Sequence, residues 1–98
     1  MKLVAFVSDY RMPVDTLDRL KPEKLGIILV QNGVYHATTK ENGNPSSLLN
    51  YSADYFVLQE DLETRGYTSS DVDSKVKVIS LGDVVDLIFN DYEKTAWL

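Results

Sequence analysis

Apolar positions along the chain gather into four short runs, separated by segments of helical spacing or by turn residues. Residues 2–8 (KLVAFVS) are almost continuously apolar, and Ile27-Ile28-Leu29-Val30 is a second such run. Gly26 opens the second run and Gln31-Asn32-Gly33 stops it abruptly. Uninterrupted apolar runs bounded by turn residues predict strands buried on both faces, as in a parallel sheet covered by helices. The polar end of such a strand is where these sheets present groups to a ligand or partner. Asp54-Tyr55-Phe56-Val57-Leu58 and Val76-Lys77-Val78-Ile79 predict a third and a fourth strand.

The intervening segments supply helices. Pro13 suits a first helical position, Val14, Leu17 and Leu20 recur at helical spacing, and Pro22 ends the pattern. The interval is long enough for a crossover between parallel strands, which takes roughly a dozen residues. Residues 34–37 fit either a brief extended piece or the start of a helix. Glu41-Asn42-Gly43-Asn44 is rich in turn formers. Asn44-Pro45 predicts an N-cap and first helical residue, opening one turn over 46–50 that buries Leu48 and Leu49. Residues 60–65 predict a short helix with acids in its first turn, ended by Gly66 in a left-handed position with Tyr67 folding back on Leu62. Residues 68–75 read as a polar loop. Ser80 and Asp83 resemble a capping box before a last helix. Its expected apolar stripe is Val84, Val85, Ile88 and Tyr92, with Asp83, Asp86, Asn90 and Asp91 outside. The tail Thr95-Ala96-Trp97-Leu98 is expected to dock on the core or on a neighbour, because an unanchored terminus frays.

These elements make an α/β protein. The expectation is a small three-layer domain over residues 1–98, with a mainly parallel sheet of four to five strands flanked by helices. The 98 residues suffice for one core but not two, and 44 % hydrophobic with 26 % charged residues is ordinary for a soluble globular chain. Net charge is −5 with ten scattered basic residues, which argues against direct nucleic-acid binding and against anionic membrane surfaces. No run approaches the roughly 20 apolar residues of a membrane span. A soluble intracellular protein is the expectation.

The chain has no cysteine, which excludes disulfides, thiolate metal sites and any cysteine nucleophile. His36 is the only histidine, so no imidazole–thiolate or two-histidine metal site can form, and no metal or cofactor is expected. A lone histidine near a strand end fits a surface or hydrogen-bonded residue better than a catalyst. Nucleophile-elbow, Walker and dinucleotide-binding patterns are all absent from the sequence. Gln31-Asn32-Gly33 could hold a ligand or partner loop through its two amides, or could be a turn with positive φ at Asn32 or Gly33. Asp61 and Arg65 read first as a helix pair, acid before base at a spacing of four. Six tyrosines, three phenylalanines and one tryptophan are generous for this length, and aromatic residues are enriched at interfaces. Four short strands with thin helical cover would leave open edges and apolar faces, which assembly would hide.

Three segments resemble the DsrH/TusB family of sulfur-relay proteins: Val30-Gln31-Asn32-Gly33-Val34-Tyr35-His36-Ala37, then Val57-Leu58-Gln59-Glu60-Asp61-Leu62-Glu63-Thr64-Arg65-Gly66, then Ala96-Trp97-Leu98. They correspond to that family's turn after the second strand, its Leu-x-x-Asp-Leu-x-x-Arg-Gly segment after the third, and its C-terminal Ala-Trp. The resemblance implies a DsrE-like fold, a cytoplasmic location, and homo- or hetero-oligomers with DsrE/TusD-like and DsrF/TusC-like subunits. Such assemblies pass persulfide sulfur, toward 2-thiouridine formation in tRNA in some lineages and sulfur oxidation in others. Some DsrH-type members carry a cysteine in the first helix, near Asp18 or Arg19 here. This chain has none, so the leading reading is a non-catalytic subunit, with Gln31, Asn32, Gly33, Tyr35, Asp61, Arg65 and Trp97 as candidate ligand or partner contacts. The alternative is a homo-oligomeric small-ligand binding module with Gln31, Asn32, Gly33 and Tyr35 at its site. A third reading is an enzyme that uses His36 with a carboxylate.

Overall fold

The apolar runs pair as one all-parallel sheet. A computed structural model describes residues 2–8, 23–38, 40–41, 44–45, 49 and 52–97 of the chain. Its main strands are β1 (Lys2–Val7), β2 (Lys24–Leu29), β5 (Asp54–Leu58), β6 (Val76–Ile79) and β7 (Lys94–Trp97), in the spatial order β6-β5-β2-β1-β7. A small antiparallel ribbon joins β3 (Lys40–Glu41) to β4 (Asn44–Pro45). The helices are a 3₁₀ turn Gln31–Val34 running into α1 (Tyr35–Thr38), α2 (Gln59–Thr64), a 3₁₀ turn Ser69–Asp71, and α3 (Leu81–Asn90). None of these helices is long and apolar enough to cross a membrane.

The central position of β2 explains its composition. It is flanked by β1 and β5 and covered on both faces, so it has no exposed position to make polar. Full burial of Ile27, Ile28 and Leu29 contributes about 2–3 kcal/mol per side chain. Chain order then sorts the helices. From β1 through β2 and β5 to β6 the strands advance in one direction. The β6–β7 connection returns past β5, β2 and β1 to the far edge. Right-handed crossovers place helices on one face while the strands advance and on the other when they return. Accordingly Val34, Ala37 and Leu62 join Leu3, Ala5, Val7, Leu25, Ile27, Leu29 and Val57 on one face, whereas Val84 of α3 joins Val4, Ile28, Val30 and Ile79 on the other.

Three expectations change, and one open alternative is decided. The fourth connection ends in a fifth strand: the C-terminal tail is β7, paired with β1 from Leu3↔Lys94 to Phe6↔Trp97. The two polar or charged residues that begin it hid it from a search for apolar runs. Asn44 and Pro45 are strand partners of Glu41 and Lys40, not a helix opening. Residues 34–37 continue the 3₁₀ turn as helix. Val85 is exposed, and the buried stripe of α3 is narrower, with Val84 buried and Leu87 and Ile88 half-buried, continued by buried Tyr92 beyond its end. The expected helix over 13–20, with Asp18 and Arg19, and most of the turn over 46–50 lie outside the described residues. Leu49 is described and is buried.

Both expected helix-end signals form. Ser80 Oγ accepts from the Asp83 N–H while the Asp83 carboxylate accepts from the Ser80 N–H. At the end of α2, Tyr67 N donates to Leu62 O and Gly66 N to Glu63 O, with Gly66 at φ 80°, the paired bonds of a Schellman stop. The loop after it holds a second capping box, Thr68 with Asp71.

Candidate functional site

At the carboxyl ends of β1 and β2 the two backbones stay together for one residue beyond the sheet. Val30 N donates to Val7 O at 3.0 Å, and Gly33 N turns back to Val30 O at 2.8 Å. The left-handed residue of the turn is Gln31, at φ 49°, rather than Asn32 or Gly33. Glycine at 33 answers a different demand. A Cβ there would lie 1.9 Å from the Val7 carbonyl oxygen, so only a bare Cα lets the turn close onto β1.

Helix α2 holds this turn from the β5 side. The Gln31 N–H donates to Asp61 Oδ2 at 2.8 Å. Arg65 Nη2 donates to Asn32 Oδ1 at 3.1 Å, and Nη1 to the main-chain oxygen of Asp61 at 3.2 Å. Asp61 and Arg65 therefore act as two ends of a clamp on residues 31–32, which a helix-pair reading of their spacing misses. The carboxylate satisfies an amide left pointing outward by the left-handed residue. The guanidinium orients the Asn32 side chain through its amide oxygen. Gln31 and Asn32 themselves are exposed, so the clamp stiffens a polar rim facing solvent.

Tyr35 follows on α1, half-buried, edge-on to Tyr67 at 6.2 Å between ring centroids. His36 faces inward and is 1 % exposed, which places it in the interior rather than at the surface. The hydroxyl of Thr38 donates to Val34 O at 3.3 Å and ties down the last turn of α1. Beside α2 lies a cavity of about 300 Å³ lined by Gln59, Leu62, Glu63, Tyr67, Thr68, Ser69 and Val78. Among the described residues, no group of three or more histidine or acidic side chains is placed to hold a metal ion.

Six of the seven expected contact residues thus come together at the ends of β2 and β5. Trp97 stands apart, at the end of edge strand β7 with β1 between. Its ring stacks on Phe6 at 5.3 Å and 17°, and Nε1 donates to Ser8 Oγ at 3.1 Å. The tail is docked, as expected, yet Trp97 remains largely exposed. Two further apolar residues, Leu81 and Phe89, escaped the sequence reading and are exposed on α3 together with Val85. Their spacing of four was the available signal, hidden by the adjacent apolar positions 84, 87 and 88.

Comparison with known proteins adds identity to this geometry. The family model described as "DsrH like protein" matches residues 8–94. The chain is 33 % identical over 90 residues to Protein TusB of Yersinia pestis and, to the same extent, of Yersinia pseudotuberculosis, covering 92 % of this chain and 93 % of each relative. The solution structure of protein Tm0979 from Thermotoga maritima superposes with a TM-score of 0.61 at 27 % identity, covering 91 % of this chain and 93 % of that one. The structure of MTH1491 from Methanobacterium thermoautotrophicum, a protein of unknown function, superposes with a TM-score of 0.69 over 97 % of both chains; at 17 % identity it shares the fold.

Proposed function

The chain belongs to the DsrH family, and from that premise we propose that it is a non-catalytic subunit of a sulfur-relay assembly. The observation that carries this reading is the family match across most of a chain with no cysteine. A persulfide needs a thiolate to bear it. The thiol chemistry therefore belongs to DsrE/TusD-like and DsrF/TusC-like partners in the cytoplasm, and this chain contributes surface. The stiffened rim of Gln31 and Asn32, held by Asp61 and Arg65, is suited to meeting a partner loop without a large ordering cost. Its family relatives favour 2-thiouridine formation in tRNA as the process served, with sulfur oxidation as the other branch.

Reconstitution tests the reading. Partner subunits loaded with radiolabelled persulfide sulfur are assayed for transfer to an acceptor, with and without this chain. The expected outcome is transfer that depends on the chain while the chain itself stays unlabelled. Label on the chain, or transfer indifferent to it, overturns the proposal.

A further inference from the structure

Asn32 and Gly33 form an Asn-Gly pair, the dipeptide in which an asparagine carboxamide is most readily lost as ammonia. Glycine has no side chain to hinder attack of its own main-chain nitrogen on the preceding carboxamide. A larger residue at 33 would lower that reactivity, but its Cβ would collide with the Val7 carbonyl. Packing of the turn on β1 therefore imposes the labile pair. Asn32 is exposed to the water that completes the reaction.

The reaction has two steps. Gly33 N gives its proton to solvent base and bonds to Asn32 Cγ. The Cγ–Nδ2 bond breaks, and Nδ2 takes up a proton from water and leaves as ammonia. Water then opens the resulting succinimide. Breaking the bond from its nitrogen to Cγ leaves aspartate, and breaking the bond to the main-chain carbonyl carbon of residue 32 leaves isoaspartate. Neither step needs an oxidant or a reductant.

Each requirement of the first step is opposed by something in the turn. The nitrogen must be free to lose its proton, but Gly33 N–H is committed to Val30 O at 2.8 Å. The peptide plane after Asn32 must swing until its nitrogen faces Cγ. Residues 31–34 are instead held in a 3₁₀ turn, with Gly33 packed against Val7. The carboxamide must rotate toward that nitrogen, but Arg65 Nη2 holds its Oδ1 at 3.1 Å. The guanidinium is itself tied to Asp61 O at 3.2 Å. A cation on Oδ1 also draws electrons from Cγ and favours attack, which gains nothing while the nitrogen cannot reach. We propose that Asn32 is a latent deamidation site, kept unreacted by the closed turn with Arg65 as its guard, and converted to aspartate and isoaspartate when the turn opens. Aspartate adds a second carboxylate to the Asp61–Arg65 clamp. Isoaspartate lengthens the main chain by one carbon where it fits against β1.

The test ages the full chain in mildly alkaline buffer, folded and in guanidinium chloride, and then digests it with trypsin. The tryptic peptide 25–40 carries Asn32 and excludes the other Asn-Gly pair, Asn42-Gly43. Mass spectrometry reads the gain of one mass unit, and labelling by isoaspartyl methyltransferase reads the rearranged product. Folded wild type is expected to convert at least about tenfold more slowly than the unfolded chain. Arg65→Met should speed the folded protein about fivefold, as loss of one net hydrogen bond implies. Arg65→Lys keeps a cation and a donor and should fall between the two. Each rate is referred to that of the same variant unfolded, and thermal midpoints establish which variants are folded. Equal folded and unfolded rates in wild type overturn the latent site. A folded Arg65→Met that converts no faster than wild type overturns the guard. Should Arg65→Met be unfolded at the ageing temperature, Arg65→Lys carries the test, and a rate no higher than wild type overturns the guard.

Discussion

The two faces of the sheet are built to different standards. On the first, Leu3, Ala5, Val7, Leu25, Ile27, Leu29, Tyr55, Val57 and Val76 lie under α1, α2 and their flanking turns, and all are buried. On the second, α3 is the only described helix, and Phe6, Phe56, Leu58, Leu87 and Ile88 stay partly open. One helix cannot span five strands, since its apolar stripe covers about 10 Å of a sheet whose strands repeat every 4.8 Å. The first face is closed by the described elements, and the second leaves apolar side chains open to solvent.

Substitutions can break that contrast or sharpen it. Ile27→Ala, in the closed face, should cost about 3–4 kcal/mol in urea denaturation, whereas Phe89→Ala in the isolated chain should change stability by less than about 0.5 kcal/mol. Comparable losses at the two positions would erase the distinction. Gly33→Ala probes the backbone end of the closed face. Its methyl meets a main-chain carbonyl that cannot rotate away, so a loss of about 2–3 kcal/mol is expected, measured in the same way.

Tyr92 probes the open face. It passes over Gly26, where a Cβ would strike its ring, with Lys24 Nζ 4.9 Å from the ring centroid. Burial, with added repulsion from Asp54 and Asp91, pushes its phenol from 10.0 up to about 12. The folded state thus holds this proton more tightly than the unfolded chain does. Its contribution is fully present below pH 10 and is lost as pH rises from there through about 12. The loss is on the order of 1 kcal/mol after solvent screening. Tyr92→Phe should remove that alkaline decline while staying within about 1 kcal/mol of wild type at pH 7; unfolding midpoints from pH 8 to 11.5 decide it. A small gain is expected at the clamp. Gln31→Gly relieves a left-handed side chain and should raise stability by about 0.5 kcal/mol, the strain relief exceeding the added freedom of the unfolded chain. A loss instead would show that the Gln31 side chain holds the turn.

What the sequence makes legible follows from how local each cause is. The four apolar strands, the Ser80–Asp83 box and the Gly66 stop are set by neighbours within a few residues, and all are found where the pattern places them. The gathering of Gln31, Asn32, Asp61 and Arg65 follows from the parallel pairing of β2 with β5, which brings both strand ends together. The positive φ at Gln31 and the Gly33 contact depend on Val7, far away in sequence, and no local signal could assign them. Strand β7 is carried by pairing with β1 rather than by its own composition. The misplaced Val85 has a similar origin: periodicity identifies an apolar sector on α3, but only the sheet beneath decides which part of that sector is covered.

The anchored indole at the end of β7 has an optical consequence. Trp97 is the sole tryptophan of the chain, so its emission reports one place and no other. Fixed by Ser8 and half bathed in water, it will shift to shorter wavelengths whenever something settles over the open side of the sheet, and will stay unmoved by events at the distant Asp61–Arg65 rim.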